Sequence, residues 1–154
     1  MKSSLAFIFF VLLCEGVGIT SALLAGPADS QWYLNLEKPF FNPPGWIFGP
    51  VWTLLYFLMG WAIYRIWKAE SAQKEKIYLL FFAHLIFNFF WSIIFFRWQS
   101  INGAFLDIII LNLLIFYLIL IMRRKDRLAS ILMLPYLAWT LFAAILNGFI
   151  LFLN

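Results

Sequence analysis

The sequence predicts an all-α membrane protein, a bundle of five transmembrane helices with a cytoplasmic N-terminus. Three observations lead there. Of 154 residues, 65% are hydrophobic and 12% charged, more apolar surface than a soluble domain of this size can cover. The apolar residues fall into five runs, each near the ~20 residues a helix needs to cross about 30 Å of hydrocarbon. Of the eleven basic residues, Lys2, Arg65, Lys68, Lys74, Lys76, Arg123, Arg124, Lys125 and Arg127 lie on one side of a five-span arrangement. Only Lys38 and Arg97 lie on the other, and the positive-inside rule makes the richer side cytoplasmic. The net charge of +4 therefore reports topology and gives no nucleic-acid signal.

Span one runs from Leu5 to Gly26. Lys2 precedes "LAFIFFVLL", as in a signal peptide, but the apolar run continues past Cys14, so a retained helix is expected. In "VLLC" a leucine precedes the cysteine, which disfavours lipoprotein processing. Cys14 is the sole cysteine, so no internal disulfide can form. Glu15 falls near the bilayer midplane, about 15 Å along the span. A carboxyl at that depth is either a ligand or proton group, or a structural partner of a neighbouring helix. Gly18, Ala22 and Gly26 form a small-residue stripe that would permit close helix contact.

The segment Pro27 to Gly45 is too long for a simple turn, and loops of such length are often functional. Span two follows, Trp46 to Trp67, behind the motif "NPPGWIFGPVWTLLY". Pro43 and Pro44 set an extended approach, Gly45 lets the chain turn, and Pro50 sits where a missing N–H costs least. The expected result is a rigid elbow that folds the loop over the bundle and turns Trp52 inward. Span three covers Ile77 to Phe96, span four Gly103 to Met122, and span five Leu128 to Leu153. Short links between spans three, four and five make neighbours antiparallel. Asp107, near the outer end of span four, is expected to pair with Arg97 across the short loop. No repeat or linker divides the chain, so residues 1–154 read as one domain.

Conventional catalysis finds no support. One histidine (His84) and one cysteine cannot build a usual zinc or haem site, and no phosphate loop or nucleophile elbow is present. His84 reads as a satisfied polar residue between helices. The chain is instead rich in aromatics, with 19 Phe, 8 Trp and 6 Tyr. Trp32, Trp46, Trp67 and Trp98 fall at span ends, where indole prefers the membrane interface. Trp52, Trp61, Trp91 and Trp139 lie inside spans, where each indole N–H wants a partner.

Helical spacing groups these residues. Gly49, Trp52, Thr53 and Tyr56 share a face of span two, His84, Asn88, Trp91 and Phe95 a face of span three, and Tyr136, Trp139, Ala143 and Asn147 a face of span five. Trp52 is about 9 Å below the outer end of its span, Trp91 about 10 Å below Trp98, and Trp139 about 16 Å above the inner end. Faces meeting at similar depth either pack as ordinary helix contacts or line a hollow.

The runs "WYLNLEKPFFNPPGWIFGPVWTLLYFLMGWAIY", "NFFWSIIFF" and "PYLAWTLFAAILN" resemble the translocator protein family, the tryptophan-rich sensory proteins or peripheral benzodiazepine receptors (TspO/MBR). The resemblance extends from about Trp32 to Asn147. It implies a multi-pass integral membrane protein (of the cell membrane in a bacterium), commonly a homodimer in membrane lipid. It also implies a receptor for protoporphyrin IX or a related tetrapyrrole and for benzodiazepine-site ligands, acting as a stress sensor or porphyrin scavenger. Light- and oxygen-dependent porphyrin degradation is an alternative, with Trp52 and Trp139 as the catalytic residues. A porphyrin or lipid transporter is another, although no inverted repeat is visible. Porphyrin enters as ligand, and no cofactor or metal is required. By motif position the resemblance implies a pocket of Tyr33, Trp52, Tyr56, Asn88, Trp91, Trp139, Ala143 and Leu146 under a lid of residues Pro27 to Gly45. The sterol motif of animal members has a tyrosine and an arginine after "LN". "AAILNGFILFLN" has neither, so the resemblance does not extend to sterol binding. Nor does it assign a role to Glu15.

Overall fold

A computed structural model describes residues 2–27, 30–69 and 74–154. Residues 28 and 29 of the expected lid lie outside the described residues. The described residues are helical, with no strand among them. Five helical stretches are long and apolar enough to cross a membrane: Ser3–Ala25, Gly45–Lys68, Lys74–Arg97, Ile101–Arg123 and Arg127–Leu153. The predicted spans agree with these to within a few residues at each end.

We number the helices α1 (Lys2–Ala25), α2 (Gln31–Asn35), α3 (Phe48–Lys68), α4 (Lys74–Ser92), α5 (Ile101–Arg123), α6 (Arg127–Leu132) and α7 (Leu134–Leu153). The two ends of the bundle differ. At one, the facing ends of α3, α4, α5 and α6 and the α5–α6 link carry most of the basic residues: Arg65, Lys68, Lys74, Lys76, Arg123, Arg124, Lys125 and Arg127. We call it the basic end and the other the lid end.

Helix boundaries follow from local chemistry. At Gly26, φ is +86°, a conformation that a side chain would strain, and α1 stops there. Pro44 precedes a 3₁₀ turn, Gly45–Ile47, which feeds into α3. Gly45 itself keeps an ordinary negative φ, so the elbow depends on the prolines rather than on glycine freedom. Ser100 and Asp126 cap α5 and α6 by accepting from the backbone N–H groups of Gly103 (3.2 Å) and Ala129 (2.9 Å).

Two irregularities shape the spans. The last turn of span three, Ile93–Arg97, is π-helical, and the Trp98 N–H donates to the Ile93 carbonyl at 2.9 Å. In span five, α6 and α7 are separated at Met133. Pro135 lacks the N–H that a continuous helix would donate to Ile131, and its ring crowds the turn before it.

The central helix is α5, packed between α4 and α7. Near the basic end the core is solid, built on Met59, Ile63, Phe81, Leu118, Met122 and Met133. The helices α1 and α3 cross closely at Gly60. A Cβ there would sit 2.9 Å from the Phe10 carbonyl oxygen and closer still to Val11 Cα. Of the expected small-residue stripe on α1, Gly18 makes such an approach, to the ring of Tyr56, whereas Gly26 has open space beside it.

At the lid end a second cluster of Phe95, Ala104, Leu146 and Ile150 supports the connecting segment through Trp32, Tyr33, Leu36 and Phe41. The Glu37 N–H donates to Asn154 Oδ1 at 3.0 Å, and Asn154 Nδ2 donates back to the Glu37 carbonyl at 3.0 Å. The segment is thus folded down on the bundle and tied to the last turn of α7.

Candidate ligand cavity

Between this lid and the solid core lies a cavity of about 410 Å³. That is within the range of small-molecule sites, and its lining is mostly apolar. From α3 it takes Gly49, Trp52, Thr53 and Tyr56, from span three Asn88, Trp91 and Phe95, and from α7 Trp139, Ala143, Leu146 and Asn147. Tyr33 and Asn42 come from the lid. All eight residues predicted for the pocket therefore border one space.

The aromatic rings are braced against each other. Trp52 tilts over Tyr56 at 5.4 Å between centroids and meets Tyr136 edge-on at 6.2 Å. Trp91 stacks on Phe95 at 5.4 Å with planes 12° apart. Phe95 belongs to the π turn, where the wider spiral aims it back under Trp91. Trp139 is held edge-on by Phe48 at 5.9 Å. Such offset and edge contacts each add roughly 0.5–1.5 kcal/mol beyond area burial, which stiffens the walls.

Polar groups form the deep end. Tyr56 Oη donates a short hydrogen bond to Asn88 Oδ1, and Asn88 Nδ2 donates to Tyr136 Oη at 3.0 Å. This chain joins α3, α4 and α7 and uses both ends of the amide. Beside it, Thr140 Oγ1 donates to Asn112 Oδ1 at 2.9 Å, locking α7 to α5. By contrast, the indole N–H groups of Trp91 and Trp139 and Asn147 Oδ1 are buried with no partner among the described residues. Unpaired buried polar atoms are costly, and three of them on the wall of one cavity are groups an occupant could satisfy. The Tyr33 hydroxyl lies 3.5 Å from Asn42 Oδ1, and burial of the ring against Phe95 and Phe96 pushes this phenol above its usual range.

Several sequence expectations change. Asp107 does not pair with Arg97. Arg97 closes the π turn and is exposed, Asp107 faces inward with Oδ2 unpartnered, and the ion pair among the described residues is Arg65–Asp126 at 2.8 Å. His84 is fully buried between helices, its ring packed between Phe81 and Tyr136, with no side-chain partner for either nitrogen among the described residues and only backbone carbonyls of its own helix beside it. His84 and Tyr136 share helix faces with cavity residues yet stand behind the wall. Trp46 and Trp98 are well exposed at span ends, as interfacial anchors should be. Trp32 instead packs on Phe95 at 5.5 Å, and Trp61 lies against Phe57, away from the cavity.

The missed contributor is α1, which lines one wall through Glu15, Gly18, Ile19, Ser21 and Ala22. Ser21 Oγ anchors this wall by donating to the Phe89 carbonyl at 2.6 Å.

Comparison with known proteins agrees with this architecture. A TspO/MBR family model matches residues 10–153. The chain belongs to the TspO/MBR family. Its relatives include the tryptophan-rich protein TspO of Archaeoglobus fulgidus, 40% identical over 144 residues covering 94% of each chain. The tryptophan-rich sensory protein of Cereibacter sphaeroides is 33% identical over 92% of this chain and 86% of its own. The translocator protein of Homo sapiens is 34% identical over 76% of this chain and 71% of its own. Family membership and five apolar helices together make the chain an integral membrane protein, and the tryptophan-lined cavity is what this TspO/MBR chain builds within its lid half.

Proposed function

We propose that the protein is a membrane receptor for tetrapyrroles of the protoporphyrin IX type and for hydrophobic ligands of the benzodiazepine-site kind. The observation carrying this reading is the meeting of Trp52, Trp91 and Trp139, from three separate spans, around one lidded cavity. A flat aromatic macrocycle gains from each ring face it meets, and its acceptor atoms suit the unpaired Trp91 and Trp139 N–H groups. Under this reading the basic end is cytoplasmic by the positive-inside rule, and the lid faces the opposite side. The working unit is a homodimer, which light scattering in detergent would report as twice the 18.1 kDa chain mass.

The test is a titration of purified protein with protoporphyrin IX, read by the shift of the porphyrin's own absorption band. Saturable binding is expected. It should weaken at least about tenfold in Ala143→Phe, which fills the cavity, and in the double variant Trp52→Phe/Trp139→Phe, which trims its walls. Binding unchanged in all variants would place the porphyrin elsewhere.

Oxidative breakdown of the bound porphyrin under light and oxygen is a second reading. It is favoured by Trp52 and Trp139 bordering the same space, where indoles would touch the macrocycle. A new absorbing product that forms equally in the Trp52→Phe/Trp139→Phe variant would remove these residues from such chemistry.

A further inference from the structure

Among the described residues, Glu15 is the one Asp, Glu, Lys, Arg or His side chain lining the cavity. It lies about 15 Å from the Ala25 end of α1, about one turn deeper than Gly18, the residue that touches the Tyr56 ring. Tyr56 and Asn88 already satisfy each other. Glu15 makes no hydrogen bond and no ion pair among the described residues, and it is only partly covered. An unpaired carboxylate in the hydrocarbon layer is expensive, so helix packing alone gives no reason to place one there. An occupant that brings positive charge or an N–H donor to it would replace lost solvation with a charge-assisted hydrogen bond. At the other end, Lys38 Nζ lies 4.5 Å from the ring centroid of Tyr33, itself a cavity residue. Lys38 stands outside the lining and donates to the Leu34 and Leu36 carbonyls at 3.3 and 2.9 Å, so the cavity has a tethered cation beside its lid and a carboxyl on its α1 wall.

We propose that Glu15 is a specificity-determining residue that receives a cationic or N–H-bearing nitrogen of an aromatic occupant at the deep end of the cavity. Acidic substituents on the same occupant are repelled from that carboxyl and directed toward Lys38. The proposal rests on the reading of this cavity as a ligand site, and adds which end of the ligand goes in first.

Two probes of equal ring size separate charge from shape: 9-aminoacridine, a cation at neutral pH, and neutral 9-methylanthracene. Both are titrated against the full chain in nanodiscs of zwitterionic lipid, with empty nanodiscs correcting for partition. Wild type should prefer the aminoacridine by about tenfold or more, the usual scale for a hydrogen bond to a charged group. Glu15→Gln should abolish the preference by lowering 9-aminoacridine binding about tenfold, to the level of 9-methylanthracene. Glu15→Asp, which retains the charge, should keep the preference. The proposal is overturned if wild type shows no preference, if Glu15→Gln retains it, or if both variants lose it. Protoporphyrin IX titrated in parallel keeps the two readings apart. Porphyrin binding without amine preference sinks this inference alone, and amine preference without porphyrin binding sinks the tetrapyrrole assignment alone.

Discussion

Gly18 of α1 lies flat against the ring of Tyr56 of α3, so close that a Cβ at position 18 would overlap the ring. Tyr56 is in turn the donor to Asn88 and the support of Trp52. A glycine on one helix therefore sets the position of an aromatic wall on another. Gly18→Ala should push Tyr56 aside at a cost of about 1–3 kcal/mol, typical of overpacking, and weaken porphyrin binding. Paired thermal melts and porphyrin titrations check this. A variant with unchanged melting and unchanged affinity would show that the ring moves freely.

The Tyr56–Asn88–Tyr136 chain makes a second prediction. Asn88→Leu leaves two buried hydroxyls without their partner, and each unsatisfied group costs about 1–3 kcal/mol. Tyr136→Phe removes only one bond and should cost about 1 kcal/mol. Denaturation in mixed micelles should rank Asn88→Leu well below Tyr136→Phe. The reverse order would contradict the assigned network.

The lid is tied down by Asn154. Asn154→Ala removes both reciprocal bonds to Glu37, which lie at an exposed site and contribute roughly 0.5–1.5 kcal/mol each. Hydrogen exchange across residues 31–42 should rise severalfold, with α5 unaffected. Equal exchange in variant and wild type would mean that the aromatic contacts of Trp32, Tyr33 and Phe41 hold the lid unaided.

Tyr33 gives a pH dependence. Burial raises its phenol above the ordinary value of 10.0, outweighing the opposing bond to Asn42. A raised folded-state value means that the contribution to lid docking is complete below pH 10. It is lost as pH climbs through the higher folded value, because ionisation is easier with the lid undocked. Lid exchange measured between pH 9 and 12 should therefore accelerate in wild type more than in Tyr33→Phe. Parallel profiles would remove Tyr33 from the linkage.

At the basic end, Asp126 has two duties: it pairs with Arg65 and caps α6. Asp126→Ala should cost about 1–2 kcal/mol, chiefly for the cap, whereas Arg65→Ala should cost less than about 1 kcal/mol because Arg65 is over a third exposed. Comparing the two melting temperatures decides between cap and pair as the main contribution.

The five spans were legible because lipid admits few alternatives to a helix of about 20 apolar residues. The walls from α3, span three and α7 were legible for a different reason. Trp52, Asn88, Trp91 and Trp139 are polar or bulky exceptions at regular spacing on apolar helices. On α1 the contrast is weaker. Glu15, Gly18 and Ala22 stood out singly, but nearly all the rest is apolar, so spacing alone does not say which side faces inward, and the wall they form escaped. Glu15 was visible as an oddity, but its neighbours were not. The Arg97–Asp107 expectation failed because proximity in sequence says nothing about direction. The π turn leaves Arg97 at the surface, and the helical phase of Asp107 turns it inward. The break at Met133 had a signal, Pro135, whose missing N–H interrupts a run that hydropathy alone reads as continuous.

That break divides the last span into pieces with separate attachments. The short helix α6 is pinned to α3 through Asp126 and Arg65, whereas α7 carries Trp139 and Asn147 and ends beside the lid. The bonds of α7 to Asn112 on α5 and Asn88 on α4 hold it independently of that short foot. A single crossing of the bilayer therefore answers to two sets of neighbours, so damage to the Arg65 attachment need not reach the guest chamber.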